Sequence, residues 1–170
     1  NRLWVNPGEI AADGVDNDGN GCIDDLNGCR FVGANDVCGY TSGTPTGTIA
    51  DDHGTAGAGT HSHGTLSAGI IGAQGNNAIG VSGVAWNTRL MAVKVLDCGP
   101  FGRSPRGSMF DVAQAIVYAT ANGADVINLS LASQSASDDL QALRDAITAA
   151  RLAGVVVVAA AGNHSGANPG

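Results

Sequence analysis

Hydrophobic and polar positions divide the chain near residue 60. Before that point apolar residues come singly or in short groups among Gly, Asp, Asn and Thr. Only short pieces such as Cys29 to Val32 could form strands, and residues 39–59 are poor enough in hydrophobics to predict a surface loop. Beyond residue 63 the apolar runs lengthen and acquire periods. Residues 89–96 carry Leu90, Met91, Val93, Val95 and Leu96 and read as a strand. DVINLSL at 125–131 is a second strand, and VVVVAAA at 155–161 is a third, apolar on both faces. Two helical stretches separate them. Ser108 followed by Asp111 resembles a capping box, and Val112, Ala115, Ile116 and Ala119 make an apolar stripe ahead of Gly123. From about Asp138 to Ala153, the residues Leu140, Leu143, Ile147 and Ala150 share one helix face, and Gly154 supplies a stop.

Alternation of strand and helix, with strands this apolar, predicts right-handed βαβ units and a parallel sheet covered on both sides. The class is α/β. Chemistry in such sheets gathers in loops beyond the carboxyl ends of the strands, here residues 96–107 and 162–170. The pattern stops in the second of these, where a doubly wound sheet would ordinarily continue.

Composition narrows the picture. With 170 residues, 44% of them hydrophobic, the chain can bury one core and fits one domain or part of one. The 26 glycines follow no G-x-y period, which excludes collagen. No apolar run approaches the length of a membrane span, and the polar start Asn1-Arg2 is not a signal peptide. The net charge of −7 sits in the first sixty residues, where nine acidic groups face Arg2 and Arg30. The remainder is balanced, which argues against a nucleic-acid partner. Fourteen of the acids are Asp and only Glu9 is Glu, a bias that suits turns, caps and calcium loops. Cys22, Cys29, Cys38 and Cys98 show no C-x-x-C spacing, so zinc-ribbon and thioredoxin readings fail. Their even number favours two disulfides and an oxidising compartment, with three pairings open and four buried free thiols as the plainer alternative.

Two segments could carry chemistry. His63 precedes small residues and an apolar helical stretch (HGTLSAGIIGA), which would put an imidazole at a helix N-terminus with bare backbone around it. A capping or surface histidine is the plainer reading of that local pattern. Asn163 follows Ala159-Ala160-Ala161-Gly162 at the end of a buried strand, where its amide could stabilise an oxyanion or simply form a turn.

Together, in this order and spacing, these segments resemble the subtilisin-like serine peptidases, the subtilase family. HGTLSAGIIGAQGNNAIGVSGVAWN at 63–87 is similar to that family's catalytic-histidine helix and following loop. MAVKVLD, GADVINLSL and GVVVVAAAGN resemble its next three strands, and residues 1–32 are similar to the calcium-loop segment of one branch. The resemblance implies a three-layer, doubly wound, mainly parallel sheet, incomplete at both ends. Residues 1–60 would be a calcium-loop and surface-loop segment, and 61–170 the histidine helix with a central βαβαβ core. It implies that His63 is the general base and Asn163 the oxyanion donor. In subtilisin, loss of that Asn costs roughly a hundred- to a thousandfold in turnover. It further implies substrate contacts at Pro100, Phe101 and Gly102, at Ser130, Leu131, Ala132 and Ser133, and at Ala160, Ala161 and Gly162. The substrate would be an extended polypeptide paired to an exposed strand edge.

The chain departs from the family pattern at several points. Leu66 stands where a second His is usual, Ser67 where Val is usual, and Ala132 often gives way to Gly. The stretch 98–105 is enlarged, and His53-Gly54-Thr55 copies the His-Gly-Thr triplet without the helix behind it. No acidic residue follows an apolar strand before His63, and no Gly-Thr-Ser motif follows Asn163; Ser165 is not one. A Ser/His/Asp mechanism needs all three groups, so the 170 residues alone are expected to be inactive, with the remainder of the peptidase domain a possible partner.

The acidic loop adds a separate line. Asp16, Asp18 and Asn20 occupy positions 1, 3 and 5 of an EF-hand-type opening, with Gly21 at 6 and the Cys22 carbonyl at 7. Asp24 and Asp25 could close a Ca2+ shell; an Asp/Asn-rich turn is the plainer alternative. The family resemblance suggests a weaker second calcium site at Gly75, Asn77, Ile79 and Val81. The expectation is therefore part of a secreted, extracellular, calcium-stabilised serine endopeptidase. The alternatives are a non-catalytic calcium-binding module of the same descent, or a metal-dependent hydrolase built on His53, His61 and His63.

Overall fold

The structure, a computed structural model, describes residues 2–32, 44–49, 63–96, 107–132 and 140–162. In chain order its elements are β1 (Gly28–Arg30), α1 (His63–Gly72), β2 (Ala92–Lys94), α2 (Met109–Ala121), β3 (Val126–Leu129), α3 (Gln141–Leu152) and β4 (Val156–Ala159). All pairing between these strands is parallel: β1 with β2, in register Cys29 to Val93, and β3 with β4, in register Ile127 to Val157. The three strands expected after residue 63 are present as β2, β3 and β4, each shorter than its apolar run, and β1 arises from the short piece around Cys29. The fold is α/β, as its helices and parallel strands require. Among the described residues the two strand pairs share no ladder.

Helix α2 forms where its sequence starts and stops it. Ser108 Oγ accepts from Asp111 N at 3.0 Å and Asp111 Oδ2 accepts from Ser108 N at 3.4 Å, the reciprocal pattern of a capping box. At the other end Ala124 N donates to Ala119 O and Gly123 N to Thr120 O, with Gly123 at φ 77°. Helix α3 ends the same way: Val155 N donates to Ala150 O and Gly154 N to Arg151 O, with Gly154 at φ 87°. Both are Schellman endings, in which a left-handed glycine returns two amides to otherwise orphaned carbonyls. Each ending turns its helix directly into the next strand. The start expected for α3 at Asp138 lies outside the described residues.

These helices pack on one side of the strands. Val112, Ala115, Ile116 and Ala119 of α2 meet Ala146 and Ala150 of α3, together with Val95, Ile127 and Val155. The predicted α2 stripe is therefore the core face. On β4, apolar on both faces, Val156 and Val158 are exposed, because the described residues cover only the α2–α3 side.

The N-terminal segment lies along β2. Leu3 bridges Leu90 in parallel, Trp4 N donates to Leu90 O at 3.0 Å, and Ala92 N donates to Asn27 O at 3.1 Å. A Cys22–Cys29 disulfide closes the acidic loop onto β1, settling one of the pairs the cysteine count left open. Cys38 and Cys98 lie outside the described residues.

Candidate functional site

His63 is the first residue of α1 and is exposed. The helix it opens is held from its far end. Val84 N donates to Ile70 O at 3.0 Å, Ala85 N to Ile71 O at 2.8 Å and Gly83 N to Ala73 O at 2.9 Å, so residues 83–85 satisfy carbonyls a helix terminus leaves open. Between these anchors runs the loop holding Gly75, Asn77, Ile79 and Val81. Asn76, Ala78 and Gly80 alternate with those four residues at φ 56°, 58° and 61°. For Ala78 that conformation costs about 1–2 kcal/mol, so the surrounding loop over-determines it. Asn77 Oδ1 accepts from Ile79 N at 3.0 Å.

Substrate-side candidates meet beyond β3 and β4. Parallel pairing sends both strands out at the same edge, and Ala160 N donates to Leu129 O at 3.0 Å. One step further, a side chain built on Gly162 would lie 3.9 Å from the Ala132 methyl. Ser130, Leu131 and Ala132 thus run beside Ala160, Ala161 and Gly162, and Asn128 Nδ2 donates to Ser130 Oγ at 2.9 Å. Ser133, Asn163, Pro100, Phe101 and Gly102 lie outside the described residues, as do His53 and His61. Two cavities, of about 340 and 310 Å³, are lined by Arg2, Gln74, Asn87, Thr88 and Arg89 and by Leu3, Trp4, Val5 and Arg89, apart from these candidates.

In the acidic loop the carboxylates divide between two tasks. Asp16 accepts from Asn20 N at 3.1 Å and Gly21 N at 2.9 Å, and Asp24 accepts from Asp13 N and Gly14 N. Both carboxylates are committed to the turns of their own loop. Asp18 and Asp25 face a different partner. One oxygen each from Glu9, Asp18 and Asp25 lie within 4.8 Å of one another. Asn6 Nδ2 donates to both Asp18 (3.0 Å) and Asp25 (2.8 Å), and Asn20 Nδ2 does the same at 3.0 and 2.8 Å. The two amides clamp the carboxylates from either side. Glu9 Oε1 accepts from Asn17 N at 2.7 Å, while Oε2 is buried with no hydrogen-bond partner. Cys22 contributes its sulfur to the disulfide, and its amide donates to Asn20 Oδ1.

Glu9 and Tyr118 were absent from the sequence-derived set. Tyr118, on α2, donates its hydroxyl to Asp25 Oδ2 across 93 residues of sequence. Burial, then this bond, then the charges of Asp25, Asp18 and Glu9 push the phenol well above its usual value of 10.0, so it remains a donor. The available signals were faint: Glu9 is the only Glu, and Tyr118 is a polar-tipped residue beside Ala119 on the buried side of α2. The three-carboxylate group is the only such cluster among the described residues.

The sequence profile of the subtilase family matches residues 35–170. The chain belongs to the subtilase family. Among curated relatives, it is 46% identical to the thermophilic serine proteinase of Bacillus sp. (strain AK1) over 104 residues, covering 61% of this chain and 24% of that protein. It is 49% identical to Subtilisin Savinase of Lederbergia lenta over 101 residues (59% and 34%). Against the minor extracellular protease Epr of Bacillus subtilis (strain 168) it is 36% identical over 131 residues (77% and 18%). The crystal structure of the epidermin leader peptide processing serine protease from Staphylococcus aureus superposes with a TM-score of 0.60 at 26% identity, covering 85% of this chain and 33% of that one. The chain spans at most about a third of the length of these relatives. Within this subtilase the departures Leu66 and Ser67 fall in α1, where the Leu66 side chain is exposed.

Proposed function

We propose that this chain is part of a secreted, calcium-stabilised subtilisin-like serine endopeptidase, to which it supplies the general base, the oxyanion donor and the walls of the substrate pocket. Residues 1–60 act as its calcium-loop and surface-loop segment, and 61–170 as the histidine helix and central core of a three-layer sheet. One observation carries the reading: Ser130–Ala132 and Ala160–Gly162 run side by side beyond a parallel strand pair, the edge at which α/β sheets build their sites.

In this mechanism the His63 imidazole accepts a serine hydroxyl proton as the serine oxygen bonds to the scissile carbonyl carbon. The proton then passes to the departing amine, and water repeats the sequence to release the acyl group. The amide of Asn163 donates to the oxyanion formed in each half. An extended peptide lies between Pro100, Phe101 and Gly102 on one side and Ser130 to Ser133 on the other, with Ala160 to Gly162 closing the pocket. The serine and the aspartate that orients His63 come from the remainder of the domain, so the 170 residues by themselves do not turn over peptides.

Glu9, Asp18 and Asp25 would hold a calcium ion. A hard cation takes an all-oxygen donor set, and the buried, unpartnered Glu9 Oε2 lacks only such a partner. When bound, the ion would offset the mutual repulsion of three crowded carboxylates. The looser loop at Gly75, Asn77, Ile79 and Val81 is a second, weaker candidate.

Peptide hydrolysis tests the proposal. The chain alone should be silent, and supplying the remainder of the domain should restore turnover. His63→Ala should then remove it, by on the order of a millionfold if it follows the subtilisin histidine. Turnover by the isolated chain that survives His63→Ala would overturn the reading. The acidic cluster, complete within residues 9–25, favours one second reading, a non-catalytic calcium-binding module. That reading predicts calcium binding with no turnover even in the completed domain.

A further inference from the structure

We propose that Tyr118 is a positioning residue for the cation site, through which occupancy of Glu9, Asp18 and Asp25 is transmitted to helix α2. The inference rests on the calcium reading above and names what that site controls. Two observations point to a ligand independently: three carboxylates meet within 4.8 Å, and Glu9, at 9% exposure, keeps Oε2 buried and unpartnered beside them.

Asp25 is the hub of the group. It is fully buried, and a buried carboxylate must have its lone pairs met. Asn6 and Asn20 meet them from within the loop, while Tyr118 meets one from outside it. The Tyr118 hydroxyl therefore sets the rotation of the Asp25 carboxylate, and with it which lone pairs remain for an ion. Outer partners that orient a metal's ligands in this way commonly govern its affinity.

The same residue belongs to the core side. Tyr118 packs with the Cys22–Cys29 disulfide and lies edge-on to Phe31, with ring centroids 5.5 Å apart. Its neighbours on α2, Ala115, Ile116 and Ala119, enter the cluster formed with α3, β3 and β4. One turn of helix thus touches the loop and enters the core cluster that also holds Ile127 of β3 and Val157 of β4, the strands whose ends carry Ser130–Ala132 and Ala160–Gly162.

The test uses the 170-residue chain, with calcium affinity read by titration calorimetry and α2 amide protection by hydrogen exchange. Calcium should bind wild type, raise protection across 115–121, and bind Glu9→Gln far more weakly. Tyr118→Phe should bind about 10- to 100-fold more weakly and lose the gain in α2 protection even when saturated. Phe31→Leu perturbs the same packing without touching the hydroxyl, and should lower Tm while leaving affinity unchanged. Equal affinity in wild type and Tyr118→Phe overturns the inference while Glu9→Gln still upholds the site. Should Tyr118→Phe fail to fold, a saturated wild type with no added α2 protection overturns the inference equally. No calcium binding by wild type sinks the cation reading itself.

Discussion

Helix α2 is started by a capping box, stopped by a Schellman turn, and buries six of its 13 residues. Helix α1 has 10 residues, no acidic residue in its first turn, and only Gly72 buried. Leu66 is 64% exposed and Ile70 67% exposed, so most of the surface of these two apolar side chains is left uncovered, while Ile71 is half-buried. Yet α1 bears His63, the residue with the clearest chemical assignment, and α2 carries no proposed catalytic group. A helix whose instructions lie in its own caps and apolar stripe can be explained from this chain. Helix α1, which bears the proposed general base, is instead pinned at its far end by residues 83–85, and the described residues leave Leu66 and Ile70 largely exposed.

Substitutions can break that contrast. Ile116, 1% exposed at the centre of the α2 face, should cost about 2–5 kcal/mol when changed to Ala, measured by urea unfolding of the 170-residue chain. A loss comparable to that of an exposed site would mean that α2 is no better packed than α1.

Alkaline pH acts on the same helix through Tyr118. Its folded pKa is raised above the unfolded value of 10.0, so above that pH the unfolded chain releases a proton the folded chain keeps. Burial first, and the Asp25 bond second, favour the protonated phenol in the folded chain, so stability is unaffected by this group below pH 10 and falls as pH rises above it, by up to about 1.4 kcal/mol per unit. Unfolding midpoints recorded at rising pH should fall in wild type, and Tyr118→Phe should remove that part of the slope. An identical slope in the two proteins would show that another group titrates.

Ser108→Ala removes half of the capping box and should cost about 1 kcal/mol, read as a shift in urea midpoint at unchanged slope. The smallest effect is expected at α1. Ile70→Ala should alter the stability of the isolated chain by less than about 0.5 kcal/mol, as exposed sites usually do. The same change should cost several times more once the remainder of the domain is present. An equal effect in both settings would show that the exposed face of α1 is not covered by that remainder.

What could be read in advance follows the range of the interactions involved. Ser108 with Asp111, Gly123 and Gly154 act over three to five residues, and the structure shows each in the expected role. Strand cores were legible from their apolar runs, but ladders require partners, so the run at 89–96 narrows to β2 at Ala92–Lys94, where β1 lies alongside. The acidic loop was legible as a candidate calcium loop, but not which of its carboxylates gather. Asp16 and Asp24 were equal candidates with Asp18 and Asp25 by spacing, and nothing local says which carboxylates turn to backbone amides.

By itself the sequence determined the α/β alternation, the start and stop of α2, the stop of α3, and the family, because caps, periodicity and motif order are written in neighbouring residues. Only the tertiary structure decided that Glu9 joins Asp18 and Asp25, that Tyr118 crosses 93 positions to reach Asp25, and that residues 130–132 and 160–162 share one edge. Those contacts follow from burial and parallel pairing. Both depend on where distant segments pack, and no local spacing encodes that.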